Sequence, residues 1–148
     1  MRFRVIPLCA VLMGMLVFSS CDDEKEIRFS KLPQAAQNFI LQYFPGDEVT
    51  YVQREKDDGR KSYDVLLNNG TELEFDENGN WTDVDCKFSR LPEGILPEPI
   101  ATHLAENYPQ HTPYKVEKKL GGYEVSVTGS LELIYTADGS FVREQTDR

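Results

Sequence analysis

The sequence predicts an α+β protein of two tandem α-β4 repeats, with an antiparallel meander sheet and both helices packed on one face. Three observations predict it. Short blocks recur in one order about 60 positions apart; each half passes from a helical to an alternating apolar period; and Asn/Gly-rich turns separate the alternating stretches. Ser30-Lys31-Leu32-Pro33 returns as Ser89-Arg90-Leu91-Pro92, Phe44-Pro45 as Tyr108-Pro109, and Tyr63-Asp64-Val65 as Tyr123-Glu124-Val125. Glu72-Leu73-Glu74-Phe75, with Gly79 and Trp81, returns as Glu132-Leu133-Ile134-Tyr135, with Gly139 and Phe141. One such agreement means little; four in the same order mark a duplication.

In chain order, the first element is an export signal. Arg2 and Arg4 precede an apolar run from Val5 to Phe18, broken only by Pro7 and Gly14, and Ser19-Ser20-Cys21 follows. Small residues ahead of a cysteine are what lipoprotein processing requires, so residues 1–20 are expected to be removed and Cys21 to carry lipid. Phe18 departs from the Leu more usual there. The run is short for a bilayer span. Several acyl chains, at about 0.8 kcal/mol per buried methylene, make a stable anchor by themselves. Residues 21–31, opening Asp22-Asp23-Glu24-Lys25-Glu26, read as a charged tether. Repeat 1 then covers 32–88 and repeat 2 covers 89–148.

Ala36, Phe39, Ile40, Tyr43 and Phe44 form one helical stripe, and Ile100, Ala101, Leu104, Ala105 and Tyr108 form another. Pro33 and Pro97 or Pro99 suit first turns, while Pro45 and Pro109 forbid continuation. Both stripes read as core faces. Alternation then predicts strands over 48–56, 60–68, 71–76 and 81–88, and over 113–119, 122–128, 131–136 and 140–145. Asp57-Asp58-Gly59, Asn68-Asn69-Gly70, Asp76-Glu77-Asn78-Gly79-Asn80 and Gly121-Gly122 are the turns between them.

These blocks carry a resemblance. Leu-Pro before a helix, aromatic-Pro after it, the Tyr-x-Val strand and the Asp/Glu-x-x-Gly-x-Trp/Phe hairpin resemble the PepSY-like, beta-lactamase-inhibitor-like domains of secreted bacterial proteins, over residues 30–145 in two copies. The resemblance implies α-β4 units around an antiparallel sheet and a non-enzymatic role in binding or inhibiting other proteins. It transfers no site residues, because the matched positions are turns and core.

Composition narrows function further. The formal charge is −9, and removal of Arg2 and Arg4 with the signal takes it to −11, a balance that repels nucleic acid. Cys9 leaves with the signal and lipid consumes Cys21, so Cys86 alone remains and no disulfide can form within one chain. His103 and His111 do not share a helix face, and no cysteine pair accompanies them, so no metal site is expected. Asp76-Glu77-Asn78-Gly79-Asn80 lacks the closing glutamate of a calcium loop and reads as a turn. Val84, Cys86 and Phe88 alternate as a strand face, which makes Cys86 a buried thiol. Glu72 with Glu74 and Asp83 with Asp85 fall on the wet side of the sheet.

The expected function is a non-catalytic envelope lipoprotein that binds an exported protein or peptide and needs no cofactor, with an inhibitory role among the forms it could take. It meets the membrane only through Cys21. Two rival readings stay open: a small enzyme using Cys86 or a carboxylate pair, and a structural lipoprotein without a ligand. The expected address is the outer membrane, and the acidic run after Cys21 resembles surface-export signals, leaving surface and periplasmic faces both open. If Val84 and Cys86 point inward, strict alternation turns Trp81, Asp83 and Asp85 outward as partner-binding residues, with Phe141 and Arg143 at the matching places. The competing reading is that Trp81 and Phe141, each just after a tight turn, cap the edge of the core.

Overall fold

The computed structural model describes residues 24–146. Helix α1 (Gln34–Tyr43) starts after Pro33 and helix α2 (Glu98–Asn107) after Pro97, whose φ angles of −52° and −51° are already helical. Each helix closes one residue before its proline, where the Phe44 N–H donates to the Ile40 carbonyl and the Tyr108 N–H to the Leu104 carbonyl. Ala36 and Ile40 of α1, and Ile100 and Leu104 of α2, are buried.

Nine strands form one antiparallel sheet whose spatial order is the chain order. They are β1 (Lys25–Glu26), β2 (Val49–Asp57), β3 (Arg60–Leu67), β4 (Glu72–Asp76), β5 (Trp81–Asp85), β6 (Pro113–Lys119), β7 (Gly122–Val127), β8 (Leu131–Thr136) and β9 (Phe141–Thr146). A single register row explains its cohesion. Val52, Val65, Leu73, Val84, Val116, Val125 and Leu133 stand opposite one another across seven strands, and all seven are buried. Both helices deliver their buried residues to the cluster this row belongs to.

This corrects the expected architecture. The chain is dominated by one nine-stranded sheet with two short helices, and it does not divide into two tandem α-β4 repeats that each carry a packed helix. The reason is physical. The two strands that would be exposed edges of separate units, β5 and β6, instead pair through Asp83–Glu117, Val84–Val116 and Asp85–Lys115. A unit of about 60 residues buries a small fraction of its surface and is only marginally stable alone, and joining edges removes two unpaired backbone rows. The ninth strand comes from inside the expected tether: Lys25 and Glu26 pair with Arg54 and Gln53, and Phe29–Lys31 form a 3-10 turn.

Most strand limits lie within one or two residues of expectation, but the fourth does not. β5 ends at Asp85, Lys87 turns the chain with φ +54°, and Phe88 is 99% exposed, so the alternation expected to bury Phe88 stops at Cys86. At the opposite end of the hairpin, Gly79 is required. Its φ is +83°, and a Cβ there would lie 2.8 Å from the Ala36 nitrogen and 2.8 Å from the Pro33 Cβ. Gly79→Ala is therefore expected to cost about 1–3 kcal/mol, from strain and from the displaced start of α1. Gly59→Ala, at φ +79° with nothing within 4 Å, carries the strain alone and should cost less in the same urea titration.

Candidate functional site

One residue along from the apolar row, the other side of the sheet carries a second row. Asp64, Glu74, Asp83, Glu117 and Glu124 stand directly opposite one another on β3 to β7. Neighbouring strands lie about 4.8 Å apart, and like charges directly opposite are destabilising. The row continues through Ile134 to the exposed Arg143. Because the buried helix residues all join the apolar cluster, this face has no helical cover from them.

Lysines partly neutralise it. Lys115 Nζ lies 3.5 Å from Asp83, Lys87 Nζ lies 3.0 Å from Asp85 and 3.1 Å from Glu72, and Lys119 Nζ lies 2.7 Å from Glu117. The expectation of fully wetted carboxylates is corrected here. Asp83 and Asp85 are each only 9% exposed, because neighbouring side chains cover them as they satisfy them. Burial, followed by the charges of Glu55 and Glu74, raises the Asp64 carboxyl to about 7. Burial raises Asp83 to about 6 against the pull of Lys115, and it also raises Glu74, helped by Glu117.

The candidate partner-binding residues divide between the two faces. Asp83, Asp85 and Arg143 lie on the carboxylate face. Trp81 and Phe141 do not, because each sits beside a β-bulge. Trp81 pairs with Phe75 while Asp83 pairs with Glu74, and Phe141 pairs with Tyr135 while Arg143 pairs with Ile134, so Thr82 and Val142 are extra residues. Both aromatics thus turn toward the core side, where they cap its edge. Trp81 meets Phe39 of α1, with ring centroids 6.4 Å apart, and Phe141 stacks on His103 of α2 at 4.5 Å. Trp81 emission is expected to be blue-shifted and to be quenched by acrylamide more slowly than a free indole. Emission as red as free tryptophan would put the ring back in solvent.

His103 Nδ1 lies 3.0 Å from the Tyr135 hydroxyl, and His111 Nδ1 lies 2.6 Å from the Thr128 carbonyl oxygen, so each ring serves local structure. Burial pushes the Cys86 thiol up to about 11, which keeps it protonated and un-nucleophilic near neutral pH. A cleft of about 610 Å³ lies between α2 and the loop before it, with Leu91, Leu104 and Tyr108 in its lining and none of the row carboxylates. Among the described residues, no group of three or more His, Cys, Asp or Glu side chains is placed to hold a metal ion, and no helix is long and apolar enough to cross a membrane. Cys21 lies outside the described residues.

Sequence reasoning found the carboxylates in pairs but missed Asp64, Glu117 and Glu124 as members of one row. The signal is the polar residue beside each core valine, and it becomes a row only once the register is known.

The architecture defines a class: an antiparallel sheet with an apolar core on one side and an acidic, helix-free face on the other. Within it, this chain belongs to the family described as putative beta-lactamase-inhibitor-like, PepSY-like, whose model matches residues 61–143. It is similar to a putative periplasmic protein from Bacteroides vulgatus ATCC 8482, at 37% identity and a TM-score of 0.81, over 85% of this chain and 99% of that one. It is also similar to a putative calcium-regulated periplasmic protein from Bacteroides thetaiotaomicron, at 35% identity and a TM-score of 0.80, over 84% of this chain and 98% of that one. A second B. vulgatus periplasmic protein, of unknown function, matches at 35% identity with a TM-score of 0.78, over 82% and 98% of the two chains. No curated protein matches.

Proposed function

We propose that this chain is a non-catalytic binding module of the cell envelope, and that the carboxylate face of its sheet docks a basic, extended segment of an exported protein or peptide. The observation that carries the reading is the row Asp64–Glu74–Asp83–Glu117–Glu124. Carboxylates held in register at a cost to folding create a field that complementary cations on a partner relieve. Asp85 and Arg143 flank the row, and Arg143 sets the register by repelling a cation at one end. Inhibition of an exported protein is one form such docking takes.

A photo-crosslinking residue at Glu132, on the same face, is expected to trap a partner in the native envelope, whereas one at the exposed Leu41 of α1 is not. E117K with E124K should cut the Glu132 adduct at least tenfold. Equal yields from both positions, or indifference to the charge reversal, would remove the docking face.

For the address, the proposal is a lipid anchor on Cys21 after removal of residues 1–20, in the outer membrane. The periplasmic relatives support an envelope location. Cys21→Ala is expected to leave an uncleaved, acyl-free precursor. Mass spectrometry of the native protein showing a cleaved N-terminus without acyl chains contradicts the anchor. Protease added to intact cells separates the two faces: loss of the domain means surface display, and protection until lysis means the periplasmic side.

A further inference from the structure

We propose that the face of the Trp81 indole is a binding seat for an alkylammonium group, closed in this structure by the chain's own Lys118. Lys118 Nζ sits 3.9 Å from the ring centroid. Lys115, Lys87 and Lys119 all take carboxylates. Lys118 makes no ion pair among the described residues and takes the indole in a strongly acidic protein. A ring that holds an ammonium there presents a strong negative quadrupole face, which tryptophan does best of the aromatic side chains. Phe39 and Tyr123, each with its ring centroid 6.4 Å from that of Trp81, wall the indole and orient it.

The seat is only loosely shut. Lys118 is an exposed residue on β6, one position from the hairpin end, so its contact with the ring is of the weak, solvent-accessible kind. Its ammonium gives up hydration to stay there, and burial lowers its pKa against the opposing charge of Asp76. An incoming ammonium displaces it at small cost. The net negative charge of the chain raises the local concentration of cations. This seat is on the core side of the sheet, so it is a site additional to the carboxylate face. Its ligand is a primary ammonium of the lysine type or a quaternary ammonium of the choline type.

The test uses the full-length protein in detergent solution, with Trp81 as its only tryptophan. Tetramethylammonium chloride and n-butylammonium chloride are titrated against Trp81 emission, with sodium chloride at equal ionic strength as the reference. The ring-current shift of the ligand methyl protons is followed in parallel. Saturable changes are expected with both ammonium salts and not with sodium. K118A should saturate at a concentration about two- to fivefold lower, the factor set by a weak exposed cation–π contact. K118Q, which keeps a polar side chain without the charge, should shift the same way. Tighter butylammonium binding assigns the lysine type, and tighter tetramethylammonium binding the quaternary type. The proposal is overturned if both ammonium salts track sodium chloride in K118A, or if wild type and both variants saturate at one concentration.

Discussion

Phe75→Ala is expected to destabilise the whole molecule by about 3–5 kcal/mol, a large share of what a domain of this size possesses. Phe75 is fully buried, and its ring meets Phe39 of α1 edge-on at 5.6 Å, so truncation removes both a sheet contact and a helix contact. Leu133→Ala, four strands away on β8, should cost about 2–5 kcal/mol. The two belong to one apolar cluster, so both substitutions should shift the same single urea transition, and circular dichroism should report it identically for either variant. Glu72→Ala serves as the contrast. Its side chain is 58% exposed and its ion pair with Lys87 is a surface one, so it should change stability by no more than about 0.5 kcal/mol. A biphasic transition in which Phe75→Ala moves only one phase would mean that the halves unfold separately and that the β5–β6 junction is weak.

The carboxylate row makes stability depend on pH in an unusual direction. Burial holds the Asp64 and Asp83 carboxyls near 7 and 6 in the fold, above the ordinary aspartate value of 3.8, and Glu74 is raised as well. Between pH 4 and 7 the folded state therefore binds more protons than the unfolded chain, and stability falls as pH rises through that window. The lysines of this face titrate far higher: Lys87, Lys115 and Lys119 are all raised from 10.5, so their contribution is constant across it. Discounted for solvent screening, the gain from pH 8 to pH 5 is expected to be about 1–2 kcal/mol. Asp64→Asn removes the most strongly shifted group, so it should raise the midpoint of unfolding at pH 8, leave it nearly unchanged at pH 5, and flatten the profile. Stability that rises steadily from pH 5 to pH 8 would mean that the row is already neutralised. A docked basic segment should reproduce the effect of low pH, because it supplies the charge that protons supply otherwise.

Much of this fold is legible locally. Helix limits follow from Pro33, Pro45, Pro97 and Pro109, and the hairpins follow from Asn-Gly and Gly-Gly pairs, because these residues act through their own backbone and need no distant partner. The alternation that buries Val65, Leu73 and Phe75 is equally local, since period two is a property of any half-buried strand. The site was less legible. The competing reading of Trp81 as a cap on the core edge agrees with where its ring lies, while strict alternation misplaced it, because a single extra residue reverses the face of everything before it.

What the sequence determined by itself is thus the set of elements, their turns, the apolar positions and the acidic balance, all encoded within a few residues of where they act. Only the tertiary structure decided that β5 and β6 join two would-be units into one sheet, that Lys25 and Glu26 add a strand to it, and that Thr82 and Val142 bulge. It also decided that carboxylates from five strands fall into one row and that Lys118 comes to rest on Trp81. Apart from the two bulges, which lie within single hairpins, each of these depends on the register between residues far apart in the chain. Register is set by the free energy of the whole core and not by any segment's own preference.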